Sequence, residues 1–335
     1  MRIAVDAMGG DHAPREVVAG AVQAARELST VTDIYLVGDE ASVKAELALC
    51  GSIPSNIHIR HASQVVEMGE APALAIRRKR DSSIGRAVEM VKAGEADAVM
   101  SAGNTGAVVA AATLKLRTLA GVDRPAIAAI MPTRGNPLVL VDAGANLDCD
   151  PALLRQFAVM GSVYSRVILG RKRPVVGLLS IGGEDIKGNE ITKETFSMLQ
   201  NSPLNFIGNV EGHDLFAGEM DVVVTDGFVG NIVLKTSESV AHAFGHWMKE
   251  EFKKSWIRLL GCVFLRGALL SMKARLDPES YGGAPLLGVN GVCIITHGSS
   301  SKRAIYHAIR VAGESVHHHL NQEIETEIAA LDTPL

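Results

Sequence analysis

The sequence predicts an α/β protein built on a largely parallel, doubly wound sheet, and three observations lead to this prediction. Short apolar runs with little polar alternation are typical of strands buried on both faces. Seven such runs each end in a Gly-rich polar loop that precedes a helical pattern. The 335 residues, of which 47% are hydrophobic and 21% charged, exclude wholesale disorder.

The seven predicted strands follow one another regularly, and we read residues 1–335 as a single α/β catalytic unit. The regularity also suits a (β/α)8 barrel, but a long non-repeating segment in the final third favours the open sheet. In either fold the loops after the strands gather at one edge, where ligands bind. The predicted strands cover residues 2–6, 34–37, 97–100, 138–141, 175–179, 222–225 and 292–296. The loops expected around one cleft are 101–106, 142–146, 184–189, 226–231 and 297–300.

These polar loops are suited to an anion. Helix N-termini with Gly, Ser, Thr and Asn present backbone N–H groups and the positive end of the helix dipole. For any single loop, ordinary turn and cap chemistry is the simpler explanation, whereas five loops together favour an anion site. The candidate substrate-binding residues are Asp6, Gly9, Ser82, Ser83, Ser101, Gly103, Asn104, Thr105, Asp142, Asn146, Asp226, Gly227 and His297.

Three further features carry charge or can move a proton. The basic run 77–80 precedes two serines and suits either phosphate or plain solvent. Lys187 lies among acidic residues, where it can stabilise an oxyanion or join a surface salt-bridge cluster. His297 is either an acid/base or a hydrogen-bonding residue at the end of a strand.

Several classes of protein are disfavoured. The balance of 33 Lys and Arg against 37 Asp and Glu does not suit a nucleic-acid binder. Four scattered cysteines without a CxxC pair indicate neither a zinc site nor disulfides, so we expect no metal and a reducing cytoplasm. Neither G-x-G-x-x-G nor a Walker motif occurs, so we expect no nucleotide cofactor. Asp6 interrupts any signal-peptide core, and no run of 18 apolar residues occurs.

Residues 252–276 differ in charge from the rest of the chain. This segment contains six cations and no acidic residue. On one helical wheel Lys254 and Arg258 fall opposite the apolar Trp256, Leu260 and Phe264. Such a segment suits an anionic membrane surface. The alternative is a dimer-interface or core helix with snorkelling cations.

Six motifs together identify a family. The motifs are VDAMGGDHAP at 5–14, SAGNTGA at 101–107, KGNE at 187–190, TDGFVGN at 225–231, YGGA at 281–284 and HGSS at 297–300. With these motifs the sequence resembles the bacterial phosphate acyltransferases of phospholipid synthesis, from about residue 2 to residue 316.

The resemblance implies a three-layer α/β/α fold, similar to isocitrate and isopropylmalate dehydrogenases and to phosphotransacetylase, in a homodimer. It implies transfer of a long acyl chain from acyl carrier protein to inorganic phosphate, which gives acyl phosphate. The family's catalytic Lys and Asn correspond to Lys187 and Asn231. Its membrane-contacting segment near the dimer interface corresponds to 252–276, with Trp256, Leu260 and Phe264 as the expected contacts of a cytoplasmic, peripherally bound enzyme.

Three alternatives remain at this stage. A dehydrogenase would need metal-holding carboxylates and a nicotinamide site, and no convincing carboxylate pair is found. A short-chain phosphotransacetylase would take its acyl group from coenzyme A. A membrane adapter without enzymatic activity would explain 252–276 but not the seven loops.

Overall fold

The computed structural model describes residues 1–276 and 278–331, and the side chains of all of these except 273–276, 278 and 280. Within these residues eleven strands form one sheet, in the order β3-β2-β1-β4-β11-β10-β5-β6-β9-β7-β8. The strands are β1 Arg2–Asp6, β2 Asp33–Gly38, β3 Ile57–His61, β4 Ala98–Ser101, β5 Ala126–Met131, β6 Leu138–Val141, β7 Val175–Leu179, β8 Asn205–Val210, β9 Val222–Val224, β10 Ala284–Leu287 and β11 Val292–Ile295.

Helices connect most of the strands, and several begin at a side chain that caps the first turn. Asp39, Asn104, Asp150, Asn189 and Asp226 each accept a hydrogen bond from a backbone N–H of the helix they precede. The helices are α1 Arg15–Glu27, α2 Glu40–Leu49, α3 Pro72–Arg78, α4 Ser83–Lys92, α5 Thr105–Lys115, α6 Pro151–Val167, α7 Glu190–Gln200, α8 Gly227–Lys253, α9 Trp256–Phe264, α10 Arg266–Leu276, α11 Lys302–His317 and α12 Leu320–Leu331.

The sheet is parallel within each half, but its two halves run in opposite directions. β1 to β4 and β11 are mutually parallel, as are β6 to β9. Between the halves, β10 is antiparallel to both of its neighbours, and β5 is antiparallel to β6. The carboxyl ends of the seven predicted strands therefore do not share one edge, and that prediction is wrong.

Helices cover both faces of the sheet, which gives three layers. In β1, Ile3 and Val5 pack with α1 and α11, whereas Ala4 between them packs with α3 to α5 on the other face. In the other half α6, α7 and α12 cover one face, and Leu234 of α8 packs on the opposite one. Both faces of the inner strands are buried, and this explains their continuous apolar runs.

The segment 252–276 differs from the single helix assumed for the wheel. It contains the end of α8 and all of α9 and α10, with breaks at Ser255 and Leu265. Ser255 caps α9, since its hydroxyl accepts a hydrogen bond from the N–H of Ile257 at 3.2 Å. The segment therefore spans three helices, and the single helical wheel used for the prediction does not describe it as a whole. The side chains of Lys273 and Arg275 lie outside the described ones.

Candidate active site

A cavity of about 510 Å³ lies where the two halves of the sheet meet. Within the described residues β10 pairs with β5 through Leu286–Ile127 and Leu287–Ala126, and the cavity lies beside the remainder of these two strands. Its wall also includes the first turns of α5 and α8 and the start of α11. The lining residues are Thr105, Ile127, Ala129, Ile130, Ala143, Asn231, Leu234, Lys235, Glu238, His242, Glu279, Tyr281, Gly283, Ala284, Ile295, Thr296, His297, Ser299, Ser300, Arg303 and Ala304.

Four of the five predicted loops contribute to this cavity. Thr105, Ala143, Asn231 and His297 come from the loops or first turns after β4, β6, β9 and β11. They meet although their strands run in two directions, because the loop after β6 lies against the start of β5. The N–H of Ala143 donates to the carbonyl oxygen of Ile127 at 2.9 Å. The prediction of one shared cleft therefore holds for these four loops.

Asp142 organises the loop after β6 and is completely buried. Its Oδ1 accepts from the N–H groups of Ile127, Gly144 and Ala145 at 2.9 to 3.1 Å. Its Oδ2 accepts from the backbone N–H and the side-chain amide of Asn146 at 2.7 and 2.9 Å. Burial raises the pKa of the Asp142 carboxyl, and these donors oppose the rise.

Asn146 is buried too, and its amide also donates to the carbonyl oxygen of Pro125 at 2.7 Å. Asp142 and Asn146 therefore hold the loop in place through their hydrogen bonds. Direct contact of either residue with substrate stays a prediction.

Two glycines allow the N-terminus of α8 to pack closely against this loop. A Cβ at Gly227 would lie 2.6 Å from the carbonyl oxygen of Asn146, and one at Gly230 would lie 1.8 Å from that of Asp142. Asp226 caps the helix by accepting from the N–H of Val229 at 2.9 Å. Because of this close approach Asn231, in the first turn, is exposed on the cavity wall.

A second buried network joins the loops after β1 and β4. The hydroxyl of Ser101 donates to Asp6 Oδ2 at 2.6 Å and accepts from the N–H of Gly103 at 3.0 Å. Ser83 also hydrogen-bonds to Asp6, and burial raises the pKa of this carboxyl. A Cβ at Gly9 would lie 2.7 Å from the backbone nitrogen of Gly103, so the two loops touch through glycine.

Several residues of this region that were predicted to bind substrate are buried or hydrogen-bond to other parts of the protein. Ser82 precedes α4, is buried and does not cap the helix with its side chain. Asn104 accepts from the N–H of Ala107 at 3.0 Å and donates to the carbonyl oxygen of Met68 at 2.8 Å. Thr105 alone of the predicted residues in this region lines the cavity within the described chain. Substrate contacts by Asp6, Gly9, Ser82, Ser83, Ser101, Gly103 and Asn104 stay predictions.

His297 is held in a defined orientation at the cavity wall. The N–H of Ser299 donates to Nδ1 of His297 at 3.2 Å, and the Ser299 hydroxyl lies 2.8 Å from the same atom. Since Nδ1 accepts the backbone N–H, the neutral ring carries its proton on Nε2. His297 can therefore donate a hydrogen bond to an anion while Ser299 fixes its ring.

Lys187 occupies a different position from Asn231. It lies on the exposed loop between β7 and α7, where its N–H donates to the carbonyl oxygen of Glu184 at 2.9 Å. It is not among the described residues that line the cavity. The structure places Asn231 at the cavity, whereas a catalytic role for Lys187 stays a prediction.

Sequence reasoning missed a polar row on α8. Lys235, Glu238 and His242 follow Asn231 at helical spacing along the cavity wall, and the ammonium of Lys235 donates to Glu238 at 2.9 Å. The i+4, i+7, i+11 spacing from Asn231 was visible in the sequence. Tyr281, the first residue of the YGGA motif, and Arg303 also line the cavity, and no sequence pattern pointed to Arg303.

The cavity lining thus combines two kinds of side chain. Asn231, Lys235, His297 and Arg303 offer hydrogen-bond donors. The apolar part of the lining includes Ile127, Ala129, Ile130, Ala143, Leu234, Ala284 and Ile295. An anion and an aliphatic chain can therefore be held in contact within one space.

Burial and the nearby Asp142 carboxylate raise the pKa of the Cys149 thiol to about 11, so it is not a poised nucleophile. Across the described residues no group of three His, Cys, Asp or Glu side chains is placed to hold a metal ion. No helix in the described part of the chain is long and apolar enough to cross a bilayer.

Solved structures with the same fold include acyl-transferring enzymes. A phosphotransacetylase from Streptococcus pyogenes superposes with a TM-score of 0.63 at 18% identity, covering 94% of each chain. A 4-hydroxythreonine-4-phosphate dehydrogenase from Salmonella typhimurium gives a TM-score of 0.53 at 13% identity, covering 94% of this chain and 98% of that one. These likenesses confirm the predicted fold class.

Sequence relatives are much closer. A phosphate acyltransferase from Pelotomaculum thermopropionicum is 51% identical over 332 residues, covering 99% of this chain and 96% of that protein. Another from Geobacter sulfurreducens is 51% identical over 335 residues, covering 98% and 96%. The family described as "Fatty acid synthesis protein" matches residues 1–323. The chain belongs to this family, that of the phosphate acyltransferases.

Proposed function

We propose that this enzyme transfers a long-chain acyl group from acyl carrier protein to inorganic phosphate and so makes acyl phosphate for phospholipid synthesis. The coarser activity, acyl transfer to phosphate, accords with the two relatives described above, both named phosphate acyltransferase. The observation that carries the proposal is the cavity, because its donors suit phosphate and its apolar wall suits an aliphatic chain.

The reaction needs no covalent enzyme intermediate. An oxygen of hydrogen phosphate attacks the thioester carbonyl carbon, and the C=O electrons move to oxygen. The tetrahedral oxyanion then re-forms C=O and breaks the C–S bond. The phosphate proton goes to the departing thiolate, so the products are acyl phosphate and free thiol. The protein's task is to hold two anionic partners together and to stabilise the oxyanion.

Asn231 is the proposed oxyanion donor, since its amide lies on the cavity wall beside the loop that Asp142 holds. His297, with its proton on Nε2, is proposed to bind phosphate. The family resemblance supports Lys187 as the cation that offsets the developing charge. Lys235 is the competing cation, because it lies on the cavity wall one helical turn beyond Asn231.

Single substitutions separate these roles. Removing one preorganised donor costs about 100- to 1,000-fold in kcat at other acyl-transfer sites. We expect losses of that size for Asn231→Ala and for Lys187→Ala, with unchanged unfolding temperatures, and a smaller loss for Lys235→Ala. A full loss in Lys235→Ala with near-normal turnover in Lys187→Ala would transfer the cationic role to Lys235.

The choice of donor is tested with two thioesters. A short-chain phosphotransacetylase would prefer acetyl-coenzyme A, whereas the apolar residues of the cavity wall favour a long chain. We expect a C16 acyl carrier protein to give the higher kcat/KM. A preference for acetyl-coenzyme A would overturn the proposed donor while leaving acyl transfer to phosphate intact.

We propose a peripheral attachment of this cytoplasmic enzyme to anionic membranes through α9 and its neighbours. No residue of α9 is buried, and Trp256 and Phe264 are 75% and 83% exposed. Arg258 and Lys254 both pair with Glu251, so apolar insertion contributes more to this proposal than free positive charge does.

A homodimer is the proposed assembly, with the continuous sheet of each chain acting as one catalytic unit. The far part of α8 supports it, because Val240, Phe244 and Trp247 are exposed at spacings of four and three residues. Such a stripe on a helix is suited to a second copy of the same surface. Sedimentation or light scattering tests this arrangement, and a monomeric Trp247→Glu variant is expected.

A further inference from the structure

One surface beside the cavity has no role in the proposed chemistry. α3 buries Ala75 and Ile76 and leaves Leu74, Arg77 and Arg78 exposed on the opposite side. At about 100° per residue these three side chains fall within one arc of about 100°. We call Leu74, Arg77 and Arg78 the arginine face.

The two arginines of this face are unpaired. In the described chain no carboxylate lies within ion-pair distance of Arg77 or Arg78. The neighbouring carboxylates have other partners, since Glu70 pairs with Lys79, and Asp81 with Arg86. The arginine face therefore presents free guanidinium groups to an acidic partner.

A chain of contacts places α3 at the cavity. A Cβ at Gly106 would lie 2.6 Å from Pro72, the first residue of α3, so this helix abuts the turn that begins with the lining residue Thr105. Met68, just before α3, accepts a hydrogen bond from Asn104 at 2.8 Å. Its Cε would lie 3.1 Å from a Cβ at Gly298, between the lining residues His297 and Ser299.

Apolar groups accompany the charges. Leu74 is 47% exposed and Met68 is 49% exposed. Arg and Met are among the residue types enriched in protein interfaces, where a small apolar centre is surrounded by polar groups. The arginine face thus combines unpaired guanidinium groups with an exposed leucine, on a helix whose first residue abuts the turn that begins with Thr105.

From this arrangement we infer that the arginine face docks an acidic surface of the carrier protein that delivers the acyl thioester. The inference rests on the proposed donor. A carrier is too large to enter the cavity, so it must bind outside while its acyl group reaches in. Complementary charge beside the entrance would steer that encounter and orient the thioester.

The test is a double charge reversal, Arg77→Glu with Arg78→Glu, assayed with two substrates that share one acyl chain. With the acyl carrier protein we expect kcat/KM to fall at least about 10-fold, mainly through KM. With the corresponding acyl-pantetheine, which has no protein surface, kcat/KM should stay within about two-fold. The wild-type value for the carrier should fall as salt rises, and that of the variant should depend less on salt.

A matched control reverses two charges elsewhere. Lys172 and Arg173 are exposed adjacent cations before β7, and replacing both with Glu should change neither substrate by more than about two-fold. Carrier activity of the arginine-face variant within two-fold of wild type would overturn the inference. An equal loss of kcat/KM for the carrier and for acyl-pantetheine would also overturn the inference, if the double variant Arg77→Gln, Arg78→Gln shows the same equal loss. The glutamine variant removes the charges without reversing them. A wild-type enzyme that uses acyl-pantetheine but no acyl carrier protein would overturn the proposed donor itself.

Discussion

Gly230 links the packing of the fold to the placement of Asn231, and Gly230→Ala tests that link. The Cβ of the new alanine would lie 1.8 Å from the carbonyl oxygen of Asp142, whereas ordinary contact begins at 3.4 Å. Five donors make six hydrogen bonds to that carboxylate, so the Asp142 loop cannot easily recede. The first turn of α8 must therefore move, and Asn231 moves with it.

A displacement of about 1 Å at a catalytic group costs about 100-fold in rate, and overpacking of this kind costs about 1–3 kcal/mol in unfolding free energy. We expect Gly230→Ala to show both effects in steady-state kinetics and urea unfolding. The matched control is Gly245→Ala in the same helix, where the added methyl has nothing within 4 Å. It should keep kcat and gain about 0.5–1 kcal/mol, as alanine gains over glycine in helices. Wild-type kcat and stability in Gly230→Ala would refute this account of how Asn231 is positioned.

Three further predictions concern the cavity wall, the buried thiol and α9. Ala129→Phe fills part of the apolar wall, so the ratio of kcat/KM for C16 over C8 acyl carriers should fall at least about 10-fold; an unchanged ratio would mean that the chain binds elsewhere. Cys149→Ser should keep at least about half of kcat, because a thiol with a raised pKa is a poor nucleophile, and an acyl-Cys149 adduct in mass spectra would contradict direct transfer. Replacing Trp256, Leu260 and Phe264 with Ser should abolish flotation with phosphatidylglycerol vesicles and spare activity on dissolved substrate; undiminished flotation would leave α9 a purely structural helix.

Sequence patterns predicted the seven strands whose apolar runs end in Gly-rich loops, and each is present within a residue or two of its predicted bounds. Four strands were missed, for physical reasons. β3 and β8 lie at the two edges of the sheet, where partial exposure mixes polar residues into the strand. β5 is half alanine, a residue that favours helices, and β10 has only four residues, one of them proline.

The missed strands also explain the wrong expectation about a single edge. β5 and β10 are the strands whose antiparallel pairing reverses the direction of the sheet. Because these two strands were missed, the sequence analysis joined the seven predicted strands in one parallel array. The direction of a strand depends on its partners across the sheet, which a local pattern does not contain.

Within the candidate site, sequence reasoning identified residue types better than it identified their orientation. Asn231 and His297 do line the cavity, whereas the carboxylates of Asp6 and Asp142 turn inward to satisfy backbone and hydroxyl donors. An Asp after a strand suits a ligand and a buried loop equally well. The number of hydrogen-bond donors around the carboxylate in the folded structure distinguishes an Asp that binds a ligand from one that holds a buried loop.

The most direct test of the central claim is phosphate-dependent release of free thiol from C16 acyl carrier protein by the purified chain. The account predicts one acyl phosphate for each thiol, no requirement for coenzyme A, and loss of both products in Asn231→Ala. Thiol release that persists without phosphate, or that yields free fatty acid directly in its presence, would contradict the claim that this cavity joins an acyl group to phosphate.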